Sequence, residues 1–96
     1  MTPTITAVFS IRIKQHEVPA FRGAILSLLR PDVPLVFHNH TPEGVSFKYP
    51  LVQYKIVDGH GAIVLIGNAT VFAVSVLSLA GNTISISGRT TILHRF

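Results

Sequence analysis

Two histidines two residues apart, His38 and His40, are the residues of this sequence whose types and spacing are most suited to chemistry. An unperturbed imidazole has a pKa of about 6.5, so its neutral and charged forms coexist near neutral pH. If the chain is locally extended, both side chains project on the same side and Asn39 points away. One imidazole could then act as a general base and the other as a general acid on a phosphate held between them, each contributing about 10²–10⁴-fold to a rate.

A metal-free cleavage of a phosphodiester also needs a cation that stabilises the charge developing at phosphorus. Lys48 lies downstream of the histidines and is the first candidate for this role, and Arg22, in the first predicted helix, is the second. Tyr49 or Tyr54 could stack on a nucleobase or donate a hydrogen bond. These residues could therefore form a catalytic set of His38, His40 and Lys48, with aromatic and basic neighbours that could contact a nucleic acid.

Other interpretations of the histidines stay open. A His-X-His segment within a proline-rich loop is also typical of a polar surface segment or of a turn. Imidazole is a good Zn²⁺ ligand, so His38 and His40 could bind a metal together with His60 or His94. The lack of cysteine and the small number of carboxylates count against a metal site, and we predict none.

The cations and tyrosines beyond the catalytic set also have two interpretations. They could contact RNA, or they could be solvated strand residues and tyrosines packed in the core. The predicted RNA-contacting residues are Arg12, Lys14, Arg22, Tyr49, Tyr54 and Lys55. For His60, in a predicted tight turn, and His94, in the C-terminal tail, we favour no functional role.

The composition is that of one globular domain. The 96 residues are 48% apolar and 12% charged, which excludes a disordered segment. Without cysteine there can be no disulfide or thiolate metal site, and a cytoplasmic protein, which we expect, needs neither. The net charge of +4 favours an anionic partner such as nucleic acid. The uncharged stretch 61–80 is interrupted by Gly67-Asn68, so we predict no membrane association.

The first half of the chain predicts a strand, a helix and a loop. Residues 5–14 alternate, with Ile5, Ala7, Phe9, Ile11 and Ile13 on the buried side. An apolar stripe at helical spacing follows, and Pro19 suits its first turn. The stripe consists of Val18, Phe21, Ala24, Ile25, Leu28 and Leu29. Residues 31–46 are rich in proline and predict a loop.

The second half predicts a hairpin, a helix and a last strand. Strands 48–57 and 62–66 are joined through Asp58-Gly59-His60-Gly61, because Asp-Gly is typical of a hairpin turn. Asn68 is the predicted N-cap of a helix over Val71–Ala80, which Gly81-Asn82 would terminate. Residues 83–87 alternate as a strand, and 89–96 form a basic tail. The order βαββαβ predicts an α+β, ferredoxin-like fold, with a four-stranded antiparallel sheet and both helices on one face.

With these elements placed, two segments carry a family resemblance. Phe37-His38-Asn39-His40, followed by a short loop and the YPLVQYK run of residues 49–55, resembles the N-terminal domain of a CRISPR-associated repeat-RNA endoribonuclease of the RAMP superfamily. The resemblance extends from about Arg22 through Gly67. It implies a metal-independent, cofactor-free cut in repeat RNA that leaves a 2′,3′-cyclic phosphate and a 5′-hydroxyl. His38 and His40 match the histidines that are held to be catalytic in this family.

Members of that family usually have two tandem ferredoxin-like domains. Residues 1–96 correspond to one of them, and the second domain, with its glycine-rich RNA-gripping loop, is absent from this sequence. The expected partners are therefore CRISPR repeat RNA and either a second copy of the chain or the missing second domain. The alternative is a non-catalytic RNA-binding or dimerising module. Residues 62–66 contain no aromatic for base stacking, whereas the apolar 71–80 segment would suit a dimer interface.

Overall fold

The computed structural model describes residues 2–29 and 52–96. His38, His40, Lys48 and Tyr49 lie outside these residues, as does the predicted loop 31–46. The described elements are β1 (Thr4–Arg12), a 3₁₀ turn (Gln15–Glu17), α1 (Val18–Leu28), β2 (Val52–Val57), β3 (His60–Ile66), a 3₁₀ helix (Gly67–Phe72), α2 (Ala73–Leu77), β4 (Thr83–Ile86) and β5 (Arg89–Ile92). This mixture of helices and antiparallel strands confirms the predicted α+β class.

Strands β1, β3 and β2 form an antiparallel sheet in that order, with β3 in the centre. Ala7 pairs with Ile63, and Leu65 pairs with Val52, so these four side chains share the face that is packed into the core. Phe9, Ile11 and Ile13 of the predicted buried side are buried as well. The prediction was wrong for Ile5, which is 38% exposed because it lies near the outer end of β1.

The predicted hairpin joins β2 to β3, but its loop is shorter than predicted. Asp58 and Gly59 have φ of 51° and 79° and make a two-residue turn, whose left-handed backbone suits the twist of the strands. His60 and Gly61 already belong to β3, so the prediction that His60 lies in the turn was wrong. Gly61 is needed where it stands, because a Cβ there would lie 2.9 Å from the Phe21 ring.

Helix α1 packs on this sheet through the predicted stripe. Phe21 and Ile25 are fully buried, and the other members of the stripe pack against the core while remaining partly exposed. Pro19 stands in the first turn, as predicted. In this position its missing N–H removes no helical hydrogen bond.

The second helical segment differs from the prediction in its start, its end and its form. The chain enters a 3₁₀ helix at Gly67, so Asn68 lies within that helix and is not an N-cap. Val-rich sequence has reduced helix propensity, and only five residues, Ala73–Leu77, are α-helical. The predicted end at Ala80 was wrong, because α2 ends at Leu77 and Ser78 is its C-cap. Gly81 has φ of 96°, and the Asn82 side chain donates to the Leu79 carbonyl at 3.0 Å, so these two residues belong to the turn that follows the helix. No helix in the described ranges is long and apolar enough to cross a membrane.

The last part of the chain forms a hairpin that the sequence analysis did not predict. Strand β4 pairs with β5 across Ser87-Gly88, and Ile84 and Ile86 of β4 are buried. The final residues then run beside β1, where the Ser10 N–H donates to the His94 carbonyl at 2.8 Å and the Phe96 N–H donates to the Val8 carbonyl at 2.9 Å. The described strands therefore form a three-stranded sheet and a separate hairpin, and the prediction of one four-stranded sheet is not confirmed.

We expect Gly61→Ala to destabilise the fold by about 1–3 kcal/mol, because the added methyl group must displace the Phe21 ring. Urea denaturation followed by circular dichroism measures this change. Gly23→Ala is the matched control, since Gly23 lies in α1 with nothing within 4 Å of its Cβ position. There alanine should add about 0.5–1 kcal/mol of stability through helix propensity. Equal effects of the two substitutions would show that the Phe21–Gly61 contact does not constrain the fold.

Candidate nucleic-acid interface

The predicted RNA-contacting residues within the described ranges lie in two cavities. Arg12 and Lys14 line the first, which has a volume of about 460 Å³. Arg22, Tyr54 and Lys55 line the second, of about 400 Å³. The two linings share no residue, so the structure separates these side chains into two potential contact areas.

The first cavity, called here the basic cavity, forms where the chain leaves β1 and enters α1. Its polar lining consists of Arg12, Lys14, His16, Glu17 and Arg89. The turn between β2 and β3 forms part of the wall, because Gly59 lies there and the Ile13 N–H donates to its carbonyl at 3.1 Å. The absence of a side chain at Gly59 leaves room for the Arg12 guanidinium, whose Nη2 would lie 3.1 Å from a Cβ at that position.

Within the basic cavity, an ion pair between Glu17 and Arg89 joins the segment that precedes α1 to the first residue of β5. Arg89 Nη2 donates to Glu17 Oε2 at 2.7 Å, and Arg89 Nη1 donates to the Arg12 carbonyl at 3.3 Å. Glu17 Oε1 accepts the Lys14 N–H at 2.9 Å, an arrangement that matches the reaching-back half of a capping box. Glu17 is only 6% exposed, and both of its carboxylate oxygens accept a hydrogen bond.

These contacts hold Glu17 in its charged form. Its pKa falls from an ordinary value of 4.5 to about 2, mainly because the Lys14 N–H donates to the carboxylate. A hydrogen bond from the Ser87 side chain and the hydrogen bond and charge of Arg89 lower the pKa further, while burial opposes them. At neutral pH the pair is an ionised carboxylate that orients a guanidinium.

Glu17 and Arg89 were not among the residues predicted from the sequence. One weak signal was present, because Glu17 follows Lys14 by three residues and could have been recognised as a capping residue. No local pattern points to Arg89, which is 72 residues away in the sequence.

The second cavity, called here the tyrosine cavity, lies between the start of α1 and β2. Burial raises the pKa of Tyr54 to about 12, and the positive charge of Arg22 only partly offsets that rise. The phenol is therefore neutral at physiological pH and can donate a hydrogen bond. The Tyr54 ring also packs edge-on against Phe21, with ring centroids 6.3 Å apart. Tyr54 therefore contacts the core and also lines the cavity.

A stacked pair of rings, His60 and Phe96, is a feature that the sequence analysis missed. Their centroids are 4.0 Å apart with planes at 28°, and the His60 Nδ1–H donates to the Asp58 carbonyl at 3.0 Å. Phe96 is 73% exposed, so the pair presents an aromatic surface beside β3, a strand without aromatics at 62–66. No sequence signal predicts the pairing, since it depends on the tail returning beside β1.

The predicted catalytic residues His38, His40 and Lys48 lie outside the described residues. They belong to the segment that joins α1 to β2 in the sequence, and these two elements line the tyrosine cavity. Within 2–29 and 52–96, no group of three or more His, Asp or Glu residues is arranged to hold a metal ion.

The lowered pKa of Glu17 predicts a contribution to stability that depends on pH. The folded protein holds this carboxyl ionised down to about pH 2, whereas the unfolded chain protonates it near 4.5, so the stabilisation is complete above pH 4.5 and is lost as the pH falls toward 2. We expect Glu17→Gln to be less stable than the wild type at pH 7 and to lose less stability on acidification. Urea midpoints between pH 7 and pH 2 measure this difference.

Asp58→Asn is the matched control for this test, because it neutralises an exposed carboxyl and asparagine tolerates the left-handed backbone of that turn. A parallel loss of stability with pH in the wild type and in Glu17→Gln would contradict the assignment to Glu17.

Comparison with known proteins agrees with the family resemblance. No curated protein sequence matches the chain. A solved structure described as the crystal structure of Cas6b superposes with a TM-score of 0.69 at 20% sequence identity, covering all of this chain and 47% of the other, and this likeness shows the shared fold. The chain thus spans about half the length of the solved protein that it matches. The family of Cas6b N-terminal domains matches residues 1–94, and this protein belongs to that family.

Proposed function

We propose that this chain is the catalytic half of a metal-independent endoribonuclease that cuts CRISPR repeat RNA. The observation that carries the proposal is the family match, which covers residues 1–94 and includes the His38-Asn39-His40 segment. The geometry of the described residues supports it, because two cavities lined by basic side chains flank the start of α1. No cofactor is required.

The proposed reaction is an internal transesterification. One imidazole of the pair His38 and His40 removes the proton of the 2′-hydroxyl, and the 2′-oxygen forms a bond to phosphorus. The bond from phosphorus to the 5′-oxygen breaks, and the second imidazole gives its proton to that oxygen. Lys48 stabilises the negative charge on the phosphate oxygens. The products are a 2′,3′-cyclic phosphate and a 5′-hydroxyl.

The RNA is proposed to lie along the two cavities. Arg22 and Lys55 supply positive charge at the tyrosine cavity, where the neutral Tyr54 phenol can donate to a base or a phosphate. Arg12 and Lys14 supply charge at the basic cavity. Since α1 and β2 line the tyrosine cavity and the histidine segment joins them in the sequence, the tyrosine cavity is proposed to hold the nucleotides nearest the cut.

A second structural unit is also part of the proposal. The solved Cas6b chain is about twice as long as this one, and the matching family describes an N-terminal domain. A second domain or a second copy of this chain would complete the grip on the RNA, and the reaction would take place in the cytoplasm.

The experiment that tests the function is cleavage of labelled repeat RNA in excess EDTA. We expect one cut by the wild type, with a cyclic phosphate at the 3′ end, and a loss of at least about 10²-fold in rate for the His38→Ala/His40→Ala variant while RNA binding is kept. His94→Ala is the control, since it removes an exposed imidazole outside both cavities.

Cleavage that needs a divalent metal ion, or equal cleavage by the double variant, would contradict the proposed mechanism. Binding without cleavage in the wild type would favour the second candidate, a non-catalytic module that binds RNA or dimerises. One observation favours that candidate: Val71 and Val74, beside and within α2, are large aliphatic side chains that remain mostly exposed.

A further inference from the structure

The charges of the basic cavity do not cancel. It is lined by the side chains of Arg12, Lys14 and Arg89, together with the His16 imidazole, and Glu17 is the one carboxylate in its lining. Counting only the permanent charges of that lining, three cations stand against one anion. The cavity therefore favours an anionic ligand, and the lower the local dielectric constant, the stronger this preference becomes.

Glu17 is not available as a ligand for a cation. Its Oε1 accepts the Lys14 N–H at 2.9 Å, its Oε2 accepts Arg89 Nη2 at 2.7 Å, and the residue is 6% exposed. A carboxylate whose two oxygens are hydrogen-bonded in this way interacts with Arg89 and has little contact with solvent. It fixes the guanidinium of Arg89 against the wall of the cavity.

Arg89 is at the same time fixed and accessible. Its two terminal nitrogens are anchored on different partners, Glu17 Oε2 and the Arg12 carbonyl, yet its side chain remains 54% exposed. A guanidinium has five N–H donors, of which these contacts use two. An arginine that is oriented before binding loses less side-chain entropy when it binds, and its planar fork suits the oxygens of a phosphate.

The lining also indicates which part of a nucleic acid the cavity would contact. Among its described residues the only ring is the His16 imidazole, whereas the tyrosine cavity contains a phenol ring, so its lining offers more positive charge for a phosphate than ring surface for a base. Its volume of about 460 Å³ is ample for a phosphate with its ribose. Contacts from these cations to phosphate oxygens would hold the backbone and would not distinguish sequences.

We propose that the basic cavity is a phosphodiester-binding subsite for single-stranded RNA, with Arg12, Lys14 and Arg89 as ligands of the phosphate and Glu17 as the positioning residue for Arg89. This inference rests on the proposed function in taking RNA as the polyanion. It adds an anchoring point at the end of the domain formed by the hairpin β4–β5, and it assigns Arg89 and Glu17 roles that the family resemblance does not.

The test uses a fluorescent decamer of abasic ribose phosphates, which keeps the backbone and has no bases, and measures its dissociation constant by anisotropy at several salt concentrations. We expect Arg89→Gln to weaken binding on the order of tenfold, as for the loss of one charged hydrogen-bonded contact. The logarithm of the association constant decreases with the logarithm of the salt concentration, and the magnitude of this slope should be smaller by about 0.7 in Arg89→Gln because one phosphate contact is lost. Arg95→Gln removes the same charge from an exposed position outside the cavity and should change both quantities little.

Glu17→Gln separates a positioning role from simple charge. The substitution makes the protein more positive by one unit, so general electrostatics predicts tighter binding of the decamer. If Glu17 positions Arg89, binding weakens several-fold despite the added charge. Tighter binding by Glu17→Gln would overturn the positioning role, and equal effects of Arg89→Gln and Arg95→Gln would overturn the subsite.

Arg89→Lys keeps the test conclusive if Glu17→Gln proves too unstable to measure. Lysine retains the charge but lacks the fork that bridges Glu17 and the Arg12 carbonyl, so we expect an affinity between those of the wild type and Arg89→Gln. Wild-type affinity in Arg89→Lys would contradict the oriented guanidinium. The decamer has no bases and cannot be recognised as a repeat sequence, so its binding is independent of cleavage. If the decamer binds as expected but repeat RNA is not cut, the proposed function is refuted and the subsite is not. If repeat RNA is cut but Arg89→Gln does not weaken decamer binding, the subsite is refuted and the proposed function is not.

Discussion

The packing of Phe21 on Gly61 is the contact on which the placement of both cavities depends. Phe21 is fully buried, and its ring occupies the space that any side chain at position 61 would need. This contact fixes the distance between α1 and the centre of the sheet, and the edge-on contact with Tyr54 extends it to β2. Arg22, the next residue in the helix, is thereby held beside β2, and the residues just before α1 are held beside the turn that joins β2 to β3.

Strand β1 supplies the second constraint, because it is bordered on both sides. On one side it pairs with β3, and on the other its backbone exchanges hydrogen bonds with residues 94 and 96. The tail can reach β1 only after the hairpin β4–β5 has turned back, and that return brings Arg89 to the end of β1. The Glu17–Arg89 ion pair is thus a consequence of strand pairing, and it joins a carboxylate with little exposure to a guanidinium whose side chain is 54% exposed.

Much of the fold could be predicted from the sequence because its determinants are local. Alternation in β1, the apolar stripe of α1 and the Asp58-Gly59 turn each depend on residues a few positions apart, and all three are present. The bounds of the second helix were harder to predict, because a Val-rich segment has no strong preference for helix over strand. The helical segment begins at Gly67. The hairpin β4–β5 was missed because residues 89–96 were interpreted as a tail, whereas the chain reverses at Ser87-Gly88 and residues 89–92 return as a strand. The site could be predicted only in part for the same reason: Arg12 and Lys14 lie in a short basic stretch, whereas Arg89, Glu17 and the His60–Phe96 pair are brought into place by contacts between distant segments.

The proposed function and the proposed subsite together divide the work of binding RNA between different chemistries. A cavity of oriented cations holds backbone charge equally well for every sequence, so it can increase affinity but cannot select a repeat. Selection requires contacts with bases, and the described surfaces suited to them contain aromatic rings: the tyrosine cavity, and the exposed Phe96 ring stacked on His60. An anchor that is indifferent to sequence would fix the position of the strand along the domain. The geometry at the reacting phosphate would then be set by how many nucleotides separate that anchor from the cut, which is a constraint of length and not of base identity.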